Sequence, residues 1–159
     1  MKAPRLCIAV VCSLAMTSSL ADDKEHMHHA PSPAGYVPGL GEIMSLQQMR
    51  HAKLWLAGSQ NNWPLADYEL DELREGFEDA QKFHQTHEGV PVGAMIKSLT
   101  PAPLEALDKA ISAKDPAAFA KSFDQLTEAC NTCHRGAKRG FIVITRPVTS
   151  PFSNQKFVP

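Results

Sequence analysis

Cys130-Asn131-Thr132-Cys133-His134 constrains this chain more than any other five residues. Two thiols three positions apart, followed at once by an imidazole, read C-x-x-C-H, the attachment pattern of a c-type haem. Each sulfur can add to a vinyl group of one porphyrin, and the adjacent histidine then supplies a nitrogen to the iron. A chain that carries such a group has to surround a large flat ligand with apolar side chains.

The pattern falls on a helical stripe. Phe119, Phe123, Leu126, Cys130 and Cys133 recur at intervals of four, three, four and three, so both thiols are expected to point inward with the phenylalanines. Asp115 as N-cap and Pro116 in the first turn open this segment; Gly136 and Gly140 weaken and stop it. Three helical segments are expected before it. The first runs from about Glu42 to Ala57, with Ile43, Leu46, Met49, Leu54, Leu56 and Ala57 on a broad apolar face and Gly58 at its end. The second runs from about Leu65 to His84 on the stripe Ala66, Leu70, Leu73, Phe77 and Ala80; its acidic run, Glu69 to Asp79, reads as a solvated face. The third starts at Thr100 as N-cap with Pro101 next and continues to about Ala113, with an extra turn before it at Met95, Ile96 and Leu99. The fold class expected is all-α, with residues 42–140 as one helical domain.

The flanks differ in character. Residues 1–21 have the form of a secretory signal: Lys2 and Arg5, an apolar run from Leu6 to Met16, and Ser19-Leu20-Ala21 before the cleavage point. The run is shorter than the roughly 20 residues a membrane span needs. Export to the periplasm is therefore expected, with cleavage near Ala21 and no membrane span afterwards. Cys7 and Cys12 would leave with the signal, so Cys130 and Cys133 would be the only thiols of the mature chain. With 14 basic and 17 acidic side chains remaining, the charge is too mild to point to nucleic acid or an anionic membrane. Residues 22–41, with prolines, glycines and His26-Met27-His28-His29, read as a flexible leader. Residues 141–159 carry Phe141-Ile142-Val143-Ile144 and then Pro147 and Pro151. They read as a tail lying extended over the helices and shielding the haem edge.

Four helices with C-x-x-C-H on the last one resemble the cytochrome c′ family of exported bundle cytochromes, over about residues 42–139. The resemblance implies an antiparallel four-helix bundle with one covalent haem c between helices, often as a homodimer. Carried over, Cys130 and Cys133 make the thioether links and His134 is the proximal iron ligand. Arg50 would pair a haem propionate and Leu54 would cover the distal side. The tail after Gly140 departs from the family, which usually stops soon after its haem motif.

The distal position separates the functions. An apolar cover leaves a five-coordinate haem open to NO or CO; a ligand from Met44, Met49 or His51 makes it six-coordinate and suited to electron transfer. Core packing is the ordinary role of such methionines, and a helix-interface hydrogen bond that of such a histidine. Arg135, Lys138 and Arg139 could dock an acidic partner or complement the helix end. Two other uses of the cysteines are weaker: zinc with His84 and His87, whose cysteines normally sit on a turn, and a thioredoxin-like dithiol, which follows a strand. No nucleophile–base or acid–base pair argues for turnover, so no enzyme is expected. The reading is a periplasmic mono-haem cytochrome in electron transfer, its redox partner protein unidentified. Gas binding, or service as a non-catalytic haem subunit of a larger oxidoreductase, are the alternatives.

Overall fold

The described residues, 35–159 of the computed structural model, are all-α. They form α1 Leu40–Gly58, α2 Trp63–Phe83, α3 Val92–Leu99, α4 Pro101–Ser112 and α5 Pro116–Gly136. No strand forms among them; a lone backbone bridge joins His87 to Val90 in the loop after α2. The expected signal segment, 1–21, and the histidine cluster at 26–29 lie outside the described residues. Among the described residues no helix is long and apolar enough to cross a membrane.

Two helix starts follow from their capping side chains. Asn62 accepts from the Leu65 N–H at 3.4 Å ahead of α2. Asp115 Oδ1 accepts from Ala117 and Ala118 at 2.9 and 3.0 Å ahead of α5, satisfying donors that the helix itself leaves free. Thr100 holds the N-cap position of α4 as expected, but its side chain makes no capping bond. Its Oγ1 donates back to the Ile96 carbonyl at 3.0 Å, and its N–H donates to the same oxygen. The hydroxyl is thus committed to the helix behind it, and the expected extra turn is a two-turn helix, α3. Pro101 has no N–H to continue the α3 ladder, so the chain restarts there as α4.

Three helices end alike. After α1, α4 and α5 the chain passes through Asn61, Lys114 and Lys138, at φ +59°, +52° and +59°. The following residues donate five positions back: Asn62 to Ala57, Asp115 to Ala110, Arg139 to His134. These are left-handed closures made on non-glycine residues. Gly58 and Gly136 are the last residues of their helices, as expected, but the left-handed turn falls on the residues beyond them. Gly58 serves close approach instead: a Cβ there would stand 2.1 Å from the Phe119 ring.

The core contains Leu54 and Ala57 from α1; Leu70, Leu73 and Phe77 from α2; Leu107 and Ile111 from α4; and Phe119, Phe123 and Leu126 from α5. The chief pairings are α1 with α2 and α4 with α5. Two expectations fail on α1 and α2. Leu46, expected on the apolar face, is exposed. Glu69 is 3% exposed, turned against Lys53 of α1 at 3.9 Å, and burial raises its pKa. The acidic run of α2 therefore also clasps its neighbours, through Glu72 to Arg50 and Arg74 to Asp108.

Candidate functional site

The last two turns of α5 bring Cys130, Cys133 and His134 onto one side, within an arc of about 100° that continues the Phe119–Phe123–Leu126 face. Both cysteines are half-buried and free of any disulfide. Burial pushes the Cys130 thiol up to about 12, and raises Cys133 as well, so both sulfurs are protonated near neutral pH.

His134 is oriented from outside its helix. Its Nδ1 lies 2.9 Å from the carbonyl oxygen of Ile142. A carbonyl only accepts, so Nδ1 carries the proton and Nε2 of the neutral ring keeps its lone pair. Two unspent thiols and an imidazole whose Nε2 has no partner among the described residues are the donor set that a covalently attached haem requires, so these residues fit that group.

Ile142 is held in turn. After the Lys138 turn the chain doubles back along α5. Asn131, between the two cysteines, donates Nδ2–H to the Ile144 carbonyl at 2.9 Å and accepts the Ile144 N–H at 2.8 Å. Arg146 pairs with both carboxylate oxygens of Asp124 at 2.6 and 2.7 Å and donates to the Ala120 carbonyl at 3.0 Å. Its guanidinium also covers the Trp55 ring of α1, 4.2 Å from the centroid. Further on, Phe152 packs on Phe157, which is buried, and lies under the Lys53 ammonium. Sequence reasoning missed Asn131 and Arg146; a planar amide inside the motif and a lone arginine in the tail were the only signals.

The α1 candidates separate by face. His51, Trp55 and Met44 lie within about 40° of one another on the wheel. His51 Nε2 lies 2.9 Å from Thr127 Oγ1, and its ring lies against Phe123 at 4.3 Å between centroids. Thr127 donates its own proton to the Phe123 carbonyl, so its oxygen accepts from His51 and Nε2–H is the donor. Burial lowers the His51 pKa to about 4 and keeps the ring neutral. Trp55, one turn on, meets Phe123 and Phe119, one turn earlier on α5. Met44 is half-buried against the core. Met49 is half-buried about 160° round the helix from His51. Leu54 is fully buried in the core.

Arg50 faces α2. It pairs with Glu72 at 2.6 Å and touches Gln47 Oε1 at 3.3 Å, over Gly76. A propionate partner role would require it to leave or share Glu72. Arg135 is paired with Glu128, and Arg139 with Glu88. His84 donates Nε2–H to the Pro38 carbonyl at 2.8 Å. Among the described residues no three His, Cys, Asp or Glu side chains converge on one point, so the zinc arrangement of Cys130, Cys133, His84 and His87 is not assembled. A cavity of about 500 Å3 lies beside Gln125, Ala129 and Thr132, on the side of α5 away from the thiols.

The chain matches no protein-family model, no curated protein and no solved structure.

Proposed function

We propose that this chain is an exported, single-haem cytochrome of the cytochrome c′-like kind, an antiparallel four-helix bundle in its main elements, acting in electron transfer. The observation that carries the reading is the state of His134: its Nδ1–H is bound to Ile142 and its Nε2 has no partner among the described residues, one residue after the second of two free thiols. Cys130 and Cys133 would hold the porphyrin by thioether links and His134 the iron. When bound, the haem supplies a one-electron couple; the protein supplies burial, ligands and local charge.

The residues on this side of the molecule suit that duty. Phe119, Phe123 and Leu126 exclude water from the face that carries the thiols. Ile142 holds the proximal proton away from the nitrogen that would bind iron. Among the distal candidates Met44 is favoured. The pairing of His51 with Thr127 and of Trp55 with Phe123, if continued the other way along both helices, would put Met44 level with His134. His51 already spends its Nε2–H on Thr127, and Met49 lies on another side of α1. A methionine sixth ligand favours electron transfer over gas binding and raises the potential.

The test is expression in a haem-attaching host. The intact mass should exceed that of the polypeptide by one haem, and the pigment should stay with the protein through denaturing electrophoresis. Both should be lost in the Cys130→Ala/Cys133→Ala variant. Attachment in that variant, or none in the wild type, rules the reading out. Ready binding of CO to the native ferrous protein would turn the function to the gas-binding class.

A further inference from the structure

We propose that residues 141–146 are a positioning strap for the proximal imidazole, with Asn131 and Arg146 as the residues that set it; as a statement about iron ligation this rests on the haem reading above. The strap runs back along α5, with Ile142 at His134, Ile144 at Asn131 and Arg146 at Asp124 and Ala120. Extended chain advances about 3.3 Å per residue and a helix about 1.5 Å, so an extended segment keeps pace with several helical turns.

What anchors the strap is unusual for an apolar segment. Phe141 is 79% exposed, and Ile142 and Val143 also face solvent. Burial of these side chains therefore does not hold it down. Polar bonds do: both backbone groups of Ile144 close on the Asn131 amide, and Arg146 grips a carboxylate and a carbonyl while covering Trp55. A planar amide that bonds both the N–H and the C=O of one residue fixes that residue in position and rotation. Two residues earlier along the strap, the Ile142 carbonyl is thereby brought to His134 Nδ1.

The consequence is chemical. A fixed carbonyl holds His134 as the Nδ1–H tautomer, the one whose Nε2 can bind a metal. It also increases the electron donation of that nitrogen, as partners behind a ligating histidine do. Asn131 and Arg146 are thus positioning residues acting through Ile142. Because Asn131 stands at a free position of C-x-x-C-H, its replacement leaves the attachment pattern intact.

The test uses three variants, Asn131→Ala, Asn131→Asp and Arg146→Ala, each checked for helix content by circular dichroism. In the full chain without haem, imidazole nitrogen shifts should report the Nδ1–H tautomer of His134 in the wild type. Asn131→Ala should give a tautomer mixture, with faster hydrogen exchange at the Ile144 amide. Asn131→Asp keeps the acceptor for the Ile144 N–H and should recover part of both. Arg146→Ala should move them in the same direction as Asn131→Ala. In the haem-loaded protein, loss of the strap should favour the reduced form by up to about tenfold, which is about 59 mV for one electron. A wild-type tautomer mixture overturns the proposal. So does an unchanged His134 tautomer in both alanine variants once the Ile144 amide has lost its protection. If no haem attaches to the wild type, the haem reading fails, while the tautomer measurement still decides the strap.

Discussion

His51 and Thr127 face each other across α1 and α5, with Nε2 and Oγ1 2.9 Å apart, and the threonine donates its own O–H to the Phe123 carbonyl. The relay commits the histidine as a donor, and burial keeps it neutral. It also ties the middle of α1 to α5 one turn before Cys130.

Acid should therefore weaken the fold through His51. Its folded pKa, about 4, lies below the ordinary 6.5, so the unfolded chain binds the extra proton first. Stability from this group is complete above about pH 6.5 and is lost as pH falls through 4, up to about 3 kcal/mol. Denaturant midpoints measured from pH 7.5 to 4.5 should fall in the wild type. In His51→Gln, whose amide can still reach Thr127, the fall should be smaller. Equal slopes in the two proteins would exclude His51 as the source.

Distal ligation should distinguish Met44 from its neighbours. Met44→Ala in the haem-loaded protein should convert a low-spin spectrum to high-spin and admit CO. Met49→Ala and His51→Gln should leave the low-spin bands in place. Optical spectra of the ferrous proteins check this; a low-spin Met44→Ala protein would remove that residue from consideration.

Gly58→Ala should destabilise the protein, because the added methyl meets the Phe119 ring at 2.1 Å. A loss of about 1–3 kcal/mol is expected for overpacking of this kind. Combining it with Phe119→Leu should cost less than the sum of the two single changes, since the smaller side chain opens the space. Urea unfolding of the four proteins gives the coupling directly.

The thiols of the folded, haem-free chain should be slow to react. Burial holds both as thiols, Cys130 most strongly. Iodoacetamide at pH 8 should label the folded protein far more slowly than the protein in urea, with Cys133 ahead of Cys130. Equal rates folded and unfolded would contradict the burial described here. On the haem reading proposed above, the same protection would require haem addition to come before this packing closes.

Much of the helical order was written in local chemistry. The α5 stripe, the Asp115 cap and the apolar face of α2 follow from spacing within one or two turns, and spacing of that kind acts before any tertiary contact exists. The C-x-x-C-H pattern is local for the same reason. Thr100 stands at the N-cap position that spacing indicates, but its hydroxyl had two backbone neighbours to choose between, and only the formation of α3 decided which.

Partnership was beyond the reach of spacing. Arg50 could face a propionate or Glu72, Glu69 could face water or Lys53, and the tail could float or fasten. Each choice depends on groups distant in sequence, whose approach is set by how whole helices pack. Sequence by itself determined which residues make up the candidate site: two thiols, an imidazole and the stripe behind them. Tertiary structure alone decided what holds that imidazole, because the carbonyl of Ile142 reaches His134 only after the chain has reversed at Lys138 and been pinned by Asn131.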